Sequence, residues 1–262
     1  MTSVPTEQVA LEGVTVAYRV FGTGEHLVTC LHSLALDGSW WEPLADALGP
    51  DYRVLAPDLR GHGDTAASDL DLRAMAADVV ALWDHLGIET SPVVGLSMGG
   101  MVAQALAADA PSRVTHLVLI ATAHRFDDAA LEGAQHRIDA VLSAGSLALM
   151  ADALIDRWFG AGASDLTDAR AQRAHARLLR TDARTHAEVL RAMTQVNDVH
   201  PGSTPPTLLI SPEDDLSTPL STMEAMVAEF DDARLESVPG SHLAPFSHPE
   251  PVAALLRDFL AS

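Results

Sequence analysis

Ser97 is the residue of this chain best placed to act as a nucleophile. It lies in Gly95-Leu96-Ser97-Met98-Gly99-Gly100, with Pro92-Val93-Val94 before it and Met101-Val102-Ala103-Gln104-Ala105-Leu106 after it. A bare G-x-S-x-G pattern arises by chance in roughly one chain in twenty at average composition, so its flanks must decide. They read as strand, then motif, then helix. In that setting the serine occupies a strained turn, and the glycines let neighbouring backbone approach without Cβ clashes. The helix start behind it offers amides and positive dipole where an oxyanion would develop. An ordinary glycine-rich turn from strand to helix would look the same, so the reading depends on partners.

A serine hydroxyl needs a base, and the base needs an orienting carboxylate. In a strand–turn–helix setting the expected chain order is Ser, then Asp or Glu, then His. Glu213, Asp214 and Asp215 follow the apolar run Thr207–Ser211, and His242 follows in Val238-Pro239-Gly240-Ser241-His242. The order is right, and both groups fall where loops meet at the carboxyl edge of a parallel sheet. The chain has 12 histidines, so chance matches need weighing. His26, His85, His116, His136, His175 and His186 sit in helix or strand patterns and read as surface or packing residues. His62 reads as shaping a loop, and His248 as capping a helix before Pro249. There is no H-E-x-x-H and no cysteine–histidine cluster, which argues against zinc. No G-x-G-x-x-G follows the first strand and there is no P-loop, which argues against a nucleotide.

The elements that must position these residues alternate. Val14–Val20, Leu27–Leu31, Arg53–Ala56, Val93–Leu96, His116–Ala121, Thr207–Ser211 and Arg234–Val238 read as strands. Between them, Leu72, Met75, Val79, Leu82, Trp83 and Leu86 share one helical face, with Gly87 as C-cap. Ser39 and Glu42 have capping-box spacing, and Pro219 and Pro249 mark two further helix starts. This alternation predicts an α/β fold with a mainly parallel sheet covered on both faces. From Arg125 to His200 only helical periodicity is found, so residues 125–200 read as a helical insertion, with the proline-rich Pro201–Pro206 marking the return to the main body.

The chain has 16 basic residues, all arginine, against 36 acidic ones, a net charge of −20. That excludes nucleic acid as a partner and charge-driven docking on an anionic membrane. With 48% hydrophobic residues there is enough apolar material for a real core. The one cysteine, Cys30, lies in an apolar run and reads as a buried structural thiol. No secretory leader is recognisable from Met1 onward, and no apolar stretch approaches the ~20 residues a membrane span needs. A soluble cytoplasmic protein is the expectation.

These pieces together resemble the α/β-hydrolase superfamily over essentially the full chain. The residues that carry the resemblance are Leu31-His32-Ser33-Leu34, Asp58-Leu59-Arg60-Gly61-His62-Gly63, Gly95–Gly100, Asp215-Leu216-Ser217-Thr218-Pro219 and Gly240-Ser241-His242. The resemblance implies an eight-stranded, mainly parallel sheet. It divides the chain into a core of residues 1–124 and 201–262 and a helical cap, or lid, of residues 125–200. It also implies a Ser97–His242–Asp215 triad, with Asp215 favoured over Asp214 by the Asp-x-x-Thr-Pro register, and an oxyanion hole made by the amides of Leu34 and Met98. Within the superfamily the chain is most similar to the 3-oxoadipate enol-lactonases, which act on a small anionic lactone. That likeness implies substrate contacts at Arg137, Trp158 and Trp41, and no cofactor or metal. It weakens in the cap, where Ala134 replaces a usual tryptophan and His186 falls near a usual tyrosine.

The activity so implied is hydrolysis of a small carboxylic ester or lactone through an acyl-enzyme. Carbon–carbon bond hydrolases, thioesterases and perhydrolases use the same triad and are not separated by motif, and a low-turnover ligand receptor could keep it too. Enzymes of this fold with an aspartate at the elbow are excluded by Ser97. Oligomeric state is not legible. The charge divides unevenly: residues 125–200 hold 9 arginines and 11 acids, while the rest holds 7 and 25. Arg137 is therefore the expected local contact for an anionic substrate, the other cap arginines reading as a solvated face.

Overall fold

The computed structural model describes residues 4–67, 69–200 and 204–261. Eight strands form one sheet: β1 Glu7–Leu11, β2 Val14–Phe21, β3 His26–Leu31, β4 Tyr52–Pro57, β5 Ser91–Leu96, β6 Val114–Ile120, β7 Thr207–Pro212 and β8 Ala233–Val238. Their order across the sheet is β1-β2-β4-β3-β5-β6-β7-β8. The β1–β2 and β2–β4 pairs are antiparallel and every other pair is parallel. Every residue of β7 is buried, as expected of a strand covered on both faces. The covering helices are α1 Glu42–Leu48, α2 Leu72–Leu86, α3 Met98–Asp109, α8 Leu220–Val227, α9 Ala244–Ser247 and α10 Pro249–Leu260; α1 packs on α10, and α2 on α3.

Order in the sheet explains where a site can form. From β3 the chain moves outward to β4, then returns to place β5 on the other side of β3. The loops leaving β3 and β5 therefore diverge, and a crevice opens at the carboxyl ends of these two neighbouring strands. The stretches His32–Leu34 and Ser97 leave the sheet at that crevice.

Between β6 and β7 the described residues form helices only: α4 Asp128–Ala144, α5 Ala151–Phe159, α6 Ala169–Arg180 and α7 Ala183–Met193, with 3-10 turns at Ala163–Asp165 and Thr194–Asp198. Asp127, Asp168 and Asp182 cap three of these helices by accepting first-turn amides. The two ends of the insert are stitched together. The Phe126 amide donates to Asn197 Oδ1 at 2.7 Å, and Asn197 Nδ2 donates back to the Phe126 carbonyl at 2.9 Å. Residues 201–203 of the expected proline-rich return lie outside the described residues.

Two local expectations change. Strand β1 is absent from the sequence reading because only Val9 of its five residues is buried and its hairpin turns at Glu12-Gly13 rather than at a strong turn pair. The capping box at Ser39 and Glu42 does not form. Ser39 belongs to a 3-10 turn, Gly38–Trp41, whose cap is Asp37, and α1 starts from Trp41 with no side-chain cap. Cys30 is fully buried, and burial pushes its thiol pKa far up, leaving it inert.

Candidate active site

Ser97 follows β5 with φ 54° and ψ −115°, a strained conformation for a residue with a Cβ. The strain is held by bonds on both sides. The Ser97 amide donates to the Ile120 carbonyl at 2.9 Å, and the Ser97 carbonyl accepts from Thr122 Oγ1 at 2.7 Å and from the Gly100 amide at 2.9 Å. Close packing also requires the flanking glycines. A Cβ on Gly99 would lie 2.1 Å from the Leu31 carbonyl oxygen, and one on Gly95 would lie 2.4 Å from the Gly99 carbonyl oxygen. Strand β3 and the elbow therefore touch through bare backbone, and the Met98 amide opens α3 beside the serine as one of the helix's unpaired first-turn donors.

The loop after β3 is built around His32. The ring is fully buried; its Nε2 accepts from the Leu59 amide at 3.0 Å, so the proton sits on Nδ1, which donates to the Ser33 carbonyl at 2.8 Å. The Leu36 amide also donates to that carbonyl, at 3.2 Å. With the Ser33 oxygen fixed by two donors, the planar trans peptide turns the Leu34 N–H the opposite way. Burial holds the His32 pKa below its ordinary value, keeping the imidazole neutral as the accepted bond demands.

The Asp58–Gly63 motif supports the same loop. The Asp58 side chain has no exposure; one carboxylate oxygen accepts from the Gly38 amide at 2.8 Å and Arg19 Nη1 at 3.0 Å, the other from the Asp64 amide at 2.9 Å. A Cβ on Gly63 would overlap this carboxylate at 1.9 Å. His62, also buried, donates from Nδ1 to the Arg60 carbonyl at 3.0 Å and stacks edge-on against His32. Burial and the nearby His32 push its pKa down to about 3.

At the far side, Asp215 Oδ2 and His242 Nδ1 lie 2.9 Å apart, with side-chain exposures of 0% and 3%. The other Asp215 oxygen accepts from the Ser217 and Thr218 amides at 2.7 and 3.0 Å, which fixes the carboxylate. Asp214 is exposed. His242 precedes α9, whose Phe246 packs on the rings of Trp40 and Trp41.

Ser97, Leu34 and His242 line one cavity of about 640 Å³, roofed by the inserted helices. Arg137 and Trp158 face it too. Trp41 does not: it is wholly buried and packs edge-on against Phe246, so it is corrected from substrate contact to support for the His242 segment. Arg137 is half-buried, and burial together with the neighbouring Arg157 makes its charge less favourable than in water. Neither arginine has an acidic partner among the described residues. His186, read from the sequence as packing, lines the cavity as well; burial and Arg137 push its pKa down to about 4. His124, Arg125 and Ser217 were not legible as cavity residues because they lie in loops with no periodicity.

The insert is docked on the core by its own side chains. Arg173 of α6 lies 4.3 Å over the Trp40 ring and donates to Ser39, and Arg170 donates to the Phe246 and Ser247 carbonyls at 3.3 Å. The Trp158 carbonyl accepts from the Leu243 amide at 3.3 Å, so α5 touches the residue after His242. Among the described residues no cluster of three His, Cys, Asp or Glu side chains could hold a metal ion, and no helix is long and apolar enough to cross a membrane.

A model of the alpha/beta hydrolase family matches residues 30–255. The 3-oxoadipate enol-lactonase 1 of Acinetobacter baylyi is 29% identical over 234 residues, covering 88% of this chain and 87% of the relative. Among solved structures, the enol-lactonase from Burkholderia xenovorans aligns with a TM-score of 0.87 at 29% identity, covering 98% of this chain and 100% of its own. A hydrolase from Pseudomonas aeruginosa gives the same TM-score and identity over 98% of both chains.

Proposed function

The chain belongs to the alpha/beta hydrolase family, and from that premise we propose that it hydrolyses a small carboxylic ester or lactone through an acyl-enzyme on Ser97. The observation that carries this reading is the buried Asp215–His242 bond at the rim of the cavity that Ser97 also lines. With Nδ1–H held by Asp215, the free Nε2 of His242 is the basic nitrogen and takes the Ser97 proton as Oγ attacks the carbonyl. The Leu34 and Met98 amides stabilise the tetrahedral oxyanion, a contribution of roughly 3 kcal/mol per donor. His242 then gives its proton to the leaving oxygen, and water, activated by the same imidazole, releases the acid. None of these steps calls on a cofactor.

Residues 125–200 act in this reading as a cap that shapes the pocket over a core of residues 1–124 and 201–262. Arg137 supports a substrate that carries a carboxylate, since in a chain of net charge −20 a half-buried arginine without an acidic partner is a local anion site. Trp158 supplies an apolar wall beside it. The relatives named as enol-lactonases support the lactone as a substrate class.

Steady-state kinetics on a panel of lactones and short esters test the proposal. Ser97→Ala and His242→Ala should each lower kcat by ~10³-fold or more. Near-normal turnover by Ser97→Ala would reject the mechanism. Arg137→Ala should raise KM selectively for carboxylate-bearing esters, and an equal effect on neutral esters would remove the anion argument.

A further inference from the structure

The chemistry assigned so far lies on the floor of the cavity, at Ser97, the Leu34 amide and His242. The roof is different in kind. The Leu154 amide donates to the Met150 carbonyl at 3.0 Å, so α5 winds helically from Met150 onward. Met150, Leu154 and Trp158 therefore recur every fourth residue, on the face that lines the cavity. On α7, Leu190 and Met193 line it three residues apart. Phe126 adds an aromatic ring from the loop that Asn197 ties to the end of the insert. Apolar residues at helical spacing ordinarily serve core packing, but other residues of the same helices already meet that need. Ala151 and Ile155 of α5, and Ala187 and Val189 of α7, are 1% exposed or less. Met150, Leu154, Met193 and Phe126 are only half-buried, and all four line the cavity.

Apolar surface left facing water contributes nothing to the free protein, and covering it with an apolar group is favourable in proportion to the area removed from water. A cavity of about 640 Å³ has the size of sites that enclose a whole small-molecule ligand, well beyond what an acetyl group fills. Two roof methionines, with Met101 one turn along α3 from Ser97, give a lining that adapts to chains of different shape. We infer that Met150, Leu154, Leu190 and Met193 form an apolar subsite, and that the ester or lactone cleaved at Ser97 carries an alkyl or aryl group of several carbons seated there. Assigning that group to a substrate rests on the hydrolase reading above; the subsite itself does not. Arg137 lines the same cavity from α4, so a carboxylate and an apolar segment are compatible parts of one substrate.

Two ester series followed by pH-stat test this. Ethyl acetate, butanoate and hexanoate vary the acyl chain; ethyl, butyl and hexyl acetate vary the alcohol. Each buried methylene is worth about fourfold in kcat/KM, so the longest member of one series should surpass ethyl acetate by about tenfold or more. The series that responds tells whether the apolar group belongs to the acyl or the alcohol side. Leu154→Gln and Met193→Gln should each cut that ratio about fivefold, by placing an amide where the chain would lie. A variant that merely folds less well lowers both rates alike and leaves the ratio unmoved. Calorimetric titration with hexanamide and acetamide reads the subsite without turnover, and hexanamide should bind about tenfold tighter or more. Equal affinity for the two amides, or a length advantage that survives both substitutions, would overturn the subsite. Ester turnover with flat ratios in both series would overturn this inference alone, whereas tight hexanamide binding without turnover of any ester would overturn the hydrolase reading and leave the subsite standing.

Discussion

Acidification should weaken this fold through its buried histidines before most of its carboxylates titrate. His62 and His186 have folded-state pKa values pushed down to about 3 and about 4, chiefly by burial, and His32 is shifted the same way. A folded pKa below the unfolded value means that the unfolded chain takes up the proton first, so stability is complete above about pH 6.5 and is lost as pH falls. At pH 4.5 the linkage amounts to about 2.5 kcal/mol for each of His62 and His186, or about 5 kcal/mol for the pair, a large part of an ordinary stability of roughly 5–15 kcal/mol. An opposing effect operates in the same range: approaching the isoelectric point near 4.7 relieves the self-repulsion of a chain with net charge −20. Comparing a variant with the wild type at each pH cancels that global effect. Urea unfolding of His186→Gln and wild type at pH 7.5 and pH 4.5 should therefore show their stability difference moving by about 2.5 kcal/mol in the variant's favour on acidification. A difference that is the same at both pH values would refute the claim that the fold holds this imidazole neutral.

His32→Ala removes the side chain that fixes the Ser33–Leu34 peptide, so kcat on ester substrates should fall about 10²-fold; unchanged kcat with lowered stability would mean that Leu36 alone holds the loop. Gly99→Ala places a Cβ 2.1 Å from the Leu31 carbonyl oxygen, and turnover should be lost with a clear fall in the urea midpoint, whereas near-wild-type kinetics would show that the elbow tolerates movement of β3.

Much of the site was legible because its chemistry depends on sequence-local geometry. The elbow around Ser97 needs glycines at fixed offsets to let backbone meet backbone, and Asp215 needs two following amides, so both leave short motifs. The seven strands read from the sequence correspond to β2–β8, and β3–β7 among them carry the apolar run that a buried parallel strand needs. Strand β1 was hidden because it buries only Val9 and turns at Glu12-Gly13, with no strong turn pair to mark a hairpin. Trp41 was misjudged because a tryptophan near an oxyanion loop can face either the cavity or the core, and only the packing of Phe246 decides. His186 shows the reverse error: its helical context suggested packing, yet the turn of α7 aims its side chain toward the cavity. Ser217, His124 and Arg125 lie in loops, where no periodicity announces that they line one cavity.

The proposed hydrolysis depends on Ser97 being an activated nucleophile served by His242. Incubation with a fluorophosphonate probe, followed by intact-mass measurement and peptide mapping, tests it without knowledge of the substrate. One covalent adduct is expected, located on Ser97, absent in Ser97→Ala and formed far more slowly in His242→Ala. A wild-type protein that hydrolyses esters while Ser97 stays unlabelled, or an adduct formed on another residue, would contradict it.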